Sequence, residues 1–276
     1  LLLLTTTIGL PYFVLSATGP LIQRWFSLTF PGKSPYRLYA LSNAGSLLAL
    51  LSYPLVFEPA FSRKTQAWIW SASLAAFALL CIACARRLAV STPTPPEGSG
   101  LRSAANASVA SQDESPTVGN RLLWVAFAAV ASVLLIATTN QLSQDIAVIP
   151  FLWVLPLVLY LLSFILCFDH PRWYRRGFFA GILVMGTLAV CRILYAESGS
   201  SLAFQIGSYS VTLFAACMIC HGELYRMRPT PGFLTSFYLN IAAGGALGGL
   251  LVAVVAPFFL DRYAELQAGL WVLSYL

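Results

Sequence analysis

Charge is what this sequence lacks. Only 9% of its 276 residues are Asp, Glu, Lys or Arg, where an ordinary soluble domain carries about 25%. Most of its surface must therefore face something other than water. Acids and histidines are scarcer still, ten and two, and nearly all lie in connections between apolar runs. No Ser/His/Asp arrangement and no pair of catalytic carboxylates can be read from so few groups. The opening LLLLTTT has no basic flank and does not read as a signal peptide. With WVLSYL at the other end breaking off inside an apolar run, the sequence reads as a fragment.

What is present is apolar. The composition is 58% hydrophobic with a mean hydropathy of +0.77, and runs of about 20 apolar residues follow one another, each long enough to cross a hydrocarbon core. The expected fold class is all-α, a polytopic bundle of about nine transmembrane helices. The spans read as 1–26, 38–57, 67–85, 122–138, 151–168, 177–195, 202–220, 233–260 and a truncated last one near Leu266. Residues 90–120 are rich in Pro, Ser, Gly and Ala without an apolar period and read as a flexible linker. It divides a first membrane segment (1–89, three helices) from a second (121–276, about six).

Basic residues set the orientation. With connections assigned alternately to two sides, one side holds Arg24, Lys33, Arg37, Arg86, Arg87, Arg102, Arg121, Arg172, Arg175, Arg176, Arg226 and Arg228. The other holds Arg63, Lys64, Arg192 and Arg262. The positive-inside rule places the linker and a turn containing His221 on the cytoplasmic side of the membrane. The net charge of +6 is then a topology signal, and no nucleic-acid partner is implied. Asn106-Ala107-Ser108 matches a glycosylation acceptor, but a cytoplasmic linker would not meet that enzyme.

The six cysteines fall in or at the ends of apolar runs and read as buried thiols, with no metal site expected. Cys217-Met218-Ile219-Cys220-His221 spells the c-type haem attachment pattern. Cys217 lies inside an apolar helix and His221 on the inner side, so neither haem nor any other cofactor is expected.

The stretch from Cys217 to Leu260 organises the chain by joining a basic turn to an uncharged run with four central glycines. Gly244/Gly248 and Gly245/Gly249 are two i, i+4 pairs on adjacent faces, the small-xxx-small pattern that lets another helix approach closely. Packing is the plainer reading; backbone thinned to line a substrate path is the other.

Four segments carry a resemblance: GLPYFVLSATGPLIQRWF (9–26), PYRLYALSNAGSLLALLSYP (35–54), SQDIAVIPFLWVLPLVLYLLSF (143–164) and CHGELYRMRPTPGFLTSFYLNIAAGGALGG (220–249). Together they resemble the membrane part of bacterial fused major-facilitator/spermidine-synthase-like proteins, over most of the chain outside the linker. The resemblance implies a multi-pass domain preceding a cytoplasmic aminopropyltransferase-like domain beyond Leu276. That domain would carry a glycine-rich loop for decarboxylated S-adenosylmethionine and acids that hold and deprotonate the amine; neither is here. It also implies an incomplete major-facilitator-like fold, with these helices as the fourth to twelfth of twelve.

Two functions compete. One is a non-catalytic membrane module, in contact with the lipid bilayer, that anchors or feeds its own downstream domain. The other is a transporter of a small cationic, polyamine-like solute. Ser42, Asn43, Ser46 and Asn240 would pair between helices or line a path. Asn140, Gln141, Gln144 and Asp145 would form a solvated polar loop or an outward cation site. His221, near a helix C-terminus where a cation is favoured, joins Glu223, Arg226 and Arg228 in a turn suited to docking a cytoplasmic domain.

Overall fold

A computed structural model describes residues 3, 6, 9–30, 33–91, 115–145, 152–195, 201–259 and 264–276. Most of the linker lies outside these residues. Among the described residues the chain is an all-α bundle: α1 Leu10–Thr29, α2 Tyr36–Ser52, α3 Arg63–Ser91, α4 Val118–Asp145, α5 Val154–Asp169, α6 Arg176–Tyr195, α7 Leu202–Arg226, α8 Leu234–Leu250 and α9 Glu265–Tyr275. Helices α2 and α8 each continue through a wider π-helical turn, Tyr53–Phe57 and Leu251–Val255, into a last α-helical turn. Six of these stretches are long and apolar enough to cross a membrane, and α5 is a shorter apolar helix. This is a multi-pass membrane protein.

Helix α7 is the axis. Every residue from Ala215 to Tyr225 is buried, because α4, α5 and α6 surround it. Where α6 meets it, Gly186 leaves room for Thr212. The α4–α8 pair is the most extensive contact between helices, and two of the four expected glycines explain it. A Cβ on Gly244 would collide with the Val125 carbonyl and lie 2.8 Å from Ala128 Cβ. One on Gly248 would meet the Ala129 carbonyl and lie 2.9 Å from Ser132 Cβ. With lipid as apolar as leucine, this close approach, and not exclusion from water, is what holds two such helices together.

The other glycine face differs from the expectation. Gly245 meets nothing within 4 Å and Gly249 touches only Ile136 Cδ1 at 3.7 Å. A helix turns 100° per residue, so only one of two adjacent stripes can face a single partner.

Two expected boundaries move for a physical reason. α4 does not stop at Thr138: it continues through Asp145, so the polar run 139–145 is helix and not loop. α7 likewise runs six residues past Cys220 to Arg226.

Replacement of Gly248 by Leu should lower the thermal midpoint in detergent by several degrees, since overpacking of this kind costs roughly 1–3 kcal/mol. Gly245→Leu should leave it unchanged. Equal midpoint losses for both variants, in paired unfolding curves, would contradict the assignment of faces.

Candidate functional site

Three basic connections and the start of α4 meet at one end of the bundle, tied together by side chains from elements distant in sequence. Arg37 at the start of α2 donates to Asp169 Oδ1 at the end of α5, 2.9 Å away. Trp124 Nε1 in the first turns of α4 donates to the Met227 carbonyl after α7 at 3.1 Å. The Tyr36 hydroxyl donates to the Pro229 carbonyl in the same turn. Arg228 donates to the Tyr225 carbonyl at 2.8 Å and lays its guanidinium over the Tyr225 ring, 3.9 Å from the centroid. A turn of polar backbone at a membrane edge thus has its carbonyls satisfied by neighbouring helices.

Glu223 is the centre of this rim. Its side chain is 10% exposed. The Tyr174 hydroxyl, from the connection between α5 and α6, donates to its Oε1 at 2.7 Å. Arg226 approaches the same oxygen at 3.3 Å and Arg176 at 3.9 Å. Magnitudes separate these contacts. A hydrogen bond to a charged acceptor contributes about 1.5–3 kcal/mol. Two arginines that are 60% and 58% exposed contribute at most about 1 kcal/mol each and less in salt. Tyr174 therefore fixes the clasp. Gly222 makes it possible, because a side chain there would overlap the Tyr174 ring. Burial first, and then the bond to Glu223, raise the Tyr174 hydroxyl pKa well above the ordinary tyrosine range.

His221, expected in the exposed turn, is instead fully buried inside α7. Its ring stacks on Phe164 with centroids 3.5 Å apart and stands perpendicular to the Tyr160 ring, 4.9 Å away. Ser163 Oγ donates to the Tyr160 carbonyl at 2.7 Å, so its single hydrogen is committed. It accepts from His221 Nδ1–H at 2.8 Å. Nε2 is left without a partner among the described residues. The solvated helix end expected to favour an imidazolium is absent from this setting. His221 and Glu223 thus extend α7 because each finds a partner on another element. Of the four residues read as a docking turn, Arg226 and Arg228 are the exposed ones.

The remaining candidates are dispersed. Asn43 Nδ2 donates to the Tyr39 carbonyl at 2.9 Å and Asn240 Nδ2 to the Ser236 carbonyl at 2.7 Å. Ser46 Oγ donates to the Ser42 carbonyl at 3.2 Å, and Ser42 is exposed. These are bonds within single helices, one turn back, and assemble no site between helices. Asn140 is half-buried in the last turns of α4; Gln144 and Asp145 belong to that helix, and their side chains fall outside the described residues. Cys217 and Cys220 are buried, and the described residues hold no group of three metal-ligating side chains. Tyr174 and Ser163 are the partners that sequence reading missed. Tyr174 was visible as part of an interfacial aromatic cluster, Ser163 only as a lone hydroxyl in an apolar run.

Tyr174→Phe should destabilise the protein by about 1.5–3 kcal/mol, and Arg226→Ala by less than about 1 kcal/mol. The sign with pH follows from the raised Tyr174 pKa. Its contribution is complete below the ordinary tyrosine range near pH 10 and is lost as pH rises through the still higher folded value. Tyr174→Phe should flatten that alkaline loss in stability-against-pH curves; an unchanged slope would remove Tyr174 from the clasp.

Comparison of the chain with family models, with curated proteins and with solved structures returned no match.

Proposed function

We propose that this chain is the non-catalytic membrane module of a spermidine-synthase-like fusion protein, and that its basic rim anchors a cytoplasmic aminopropyltransferase-like domain beyond Leu276. The observation that carries this reading is the rim itself. Its arginines stand out from the surface, 72% exposed at Arg37, 60% at Arg226 and 58% at Arg176, while Glu223, Tyr174 and Trp124 hold the backbone beneath them. Fixed backbone carrying mostly positive exposed charge suits an acidic face on a soluble partner, steering it and setting its register. The rim is also the side that the basic-residue count assigns to the cytoplasm.

The transporter reading has less support. Transporters gather polar groups from several helices near the midplane, whereas Asn43 and Asn240 satisfy themselves within their own helices. A polyamine has several positive charges to neutralise, and the acids with described side chains sit at helix ends and in the rim.

Binding of the purified chain to its own downstream domain, measured against ionic strength, tests the proposal. Arg175→Glu combined with Arg226→Glu should weaken binding by about tenfold at low salt and by much less at 1 M salt, where the Debye length is about 3 Å. Arg228 is a poor choice for this test, since its guanidinium is committed to Tyr225. Binding indifferent to both charge and salt would refute the docking face. Uptake of labelled putrescine by the reconstituted chain would favour the transporter.

A further inference from the structure

A cavity of about 520 Å³ lies between α1, α2, α3 and α8. It sits one to two turns inside the rim: Gln23 is near the end of α1, Tyr39 and Ser42 near the start of α2, and Tyr238 near the start of α8. Its lining contains no Asp, Glu, Lys, Arg or His. Yet it holds two buried polar groups that make no well-formed hydrogen bond among the described residues. Gln23 is 3% exposed and Tyr238 6%, and neither Gln23 Oε1 nor the Tyr238 hydroxyl has a partner among the described residues. The two side chains lie beside each other, within hydrogen-bonding reach but not in a bond of acceptable geometry. Pro20, on the same wall, supplies no N–H for the Ser16 carbonyl. Leaving such groups empty-handed at a membrane depth is costly.

The cavity does not end there. A second one, about 480 Å³, shares Leu15 and Phe77 with it and continues between α2 and α3 past Ala49, Ile69 and Trp70 to Tyr53. From Tyr39 to Tyr53 the trough follows 14 residues of helix, about 21 Å of rise. Its lower part is apolar, and α3, which forms one wall, has none of its spanning window buried. The trough therefore has a polar, uncharged head at the depth of a lipid glycerol and a tail as long as an acyl chain.

We propose that this trough binds an uncharged amphiphile, a long-chain alcohol or monoacylglycerol whose hydroxyl bridges Gln23 and Tyr238. One hydroxyl serves both groups: it donates to Gln23 Oε1 and accepts from the Tyr238 hydroxyl. The absence of charge in the lining selects against a fatty-acid anion and against a cationic amine, each of which would be desolvated without a counter-ion. The site is separate from the docking rim, and its test reads out independently of that proposal.

The experiment uses the whole chain in lipid nanodiscs, a palmitoyl-length monoacylglycerol bearing a diazirine, and peptide mapping by mass spectrometry. With the diazirine in the acyl chain, light-induced label should concentrate on α1, α2 and α3, which line the tail of the trough. Hexadecanol should displace it at about fivefold lower concentration than hexadecane, the worth of one buried hydrogen bond; palmitate and putrescine should displace it poorly. Gln23→Leu and Tyr238→Phe should each erase the preference for alcohol over alkane while leaving the circular dichroism spectrum intact. Should either variant fail to fold, the alcohol-to-alkane ratio on the native chain decides alone. Equal displacement by alcohol and alkane would mean a featureless groove with water on the polar groups. Label no denser here than on the lipid-facing side of α6, or none at all, would mean that protein fills the trough. Either result overturns the proposal.

Discussion

The close approach of α8 to α4 at Gly244 and Gly248 is the contact on which the rest depends. A larger residue at either position would meet the carbonyl oxygen of Val125 or Ala129, which belongs to rigid helix backbone and cannot move aside. With the two helices in contact, Trp124 reaches the Met227 carbonyl, and its indole meets Phe237 edge to face with centroids 5.0 Å apart. The turn leading from α7 into α8 is fixed by those two contacts. The same seating brings Tyr238 beside Tyr39, 4.7 Å between ring centroids, and so builds one wall of the trough. Packing in one plane of the bundle therefore positions both the rim and the cavity.

Inside a bilayer, polar groups are safest when satisfied by their own helix, and most here are. Asn43, Asn240, Ser46 and Thr139 all bond one turn back. The exceptions carry the functional argument. Glu223 reaches across to Tyr174 and His221 to Ser163, which ties α7 to α5 and to the connection after it. Gln23 and Tyr238 lie beside each other without a well-formed hydrogen bond among the described residues. A polar group that leaves its own helix makes either a structural tie or a place for something else.

The helices themselves were legible from sequence, because uninterrupted apolar runs leave few alternatives in a membrane. Their ends were not. Lys64 and the Arg86–Arg87 pair were taken as flanks, yet α3 spans Arg63–Ser91, since long basic side chains stay helical while their charges reach water. Gln23, inside the first expected span, gave no sign in the sequence that its side chain would be buried. His221 and Glu223 looked like turn residues because their partners, Ser163 and Tyr174, lie 58 and 49 residues away. Spacing shows which residues share a helix face. It does not show which face meets a neighbour, and for that reason Gly244 and Gly245 could not be told apart.

The central claim is that the basic connections after α1, α5 and α7 gather at one membrane face with the start of α4, and side-specific labelling tests it most directly. In a chain whose six cysteines are replaced by alanine, single cysteines at Ser34 and Thr230 should react with an impermeant maleimide only from the cytoplasmic side of oriented vesicles. Cysteines at Ser62 and Ser201 should react only from the opposite side. Labelling of Ser34 and Thr230 from different sides would contradict the rim, and with it the docking surface built on it.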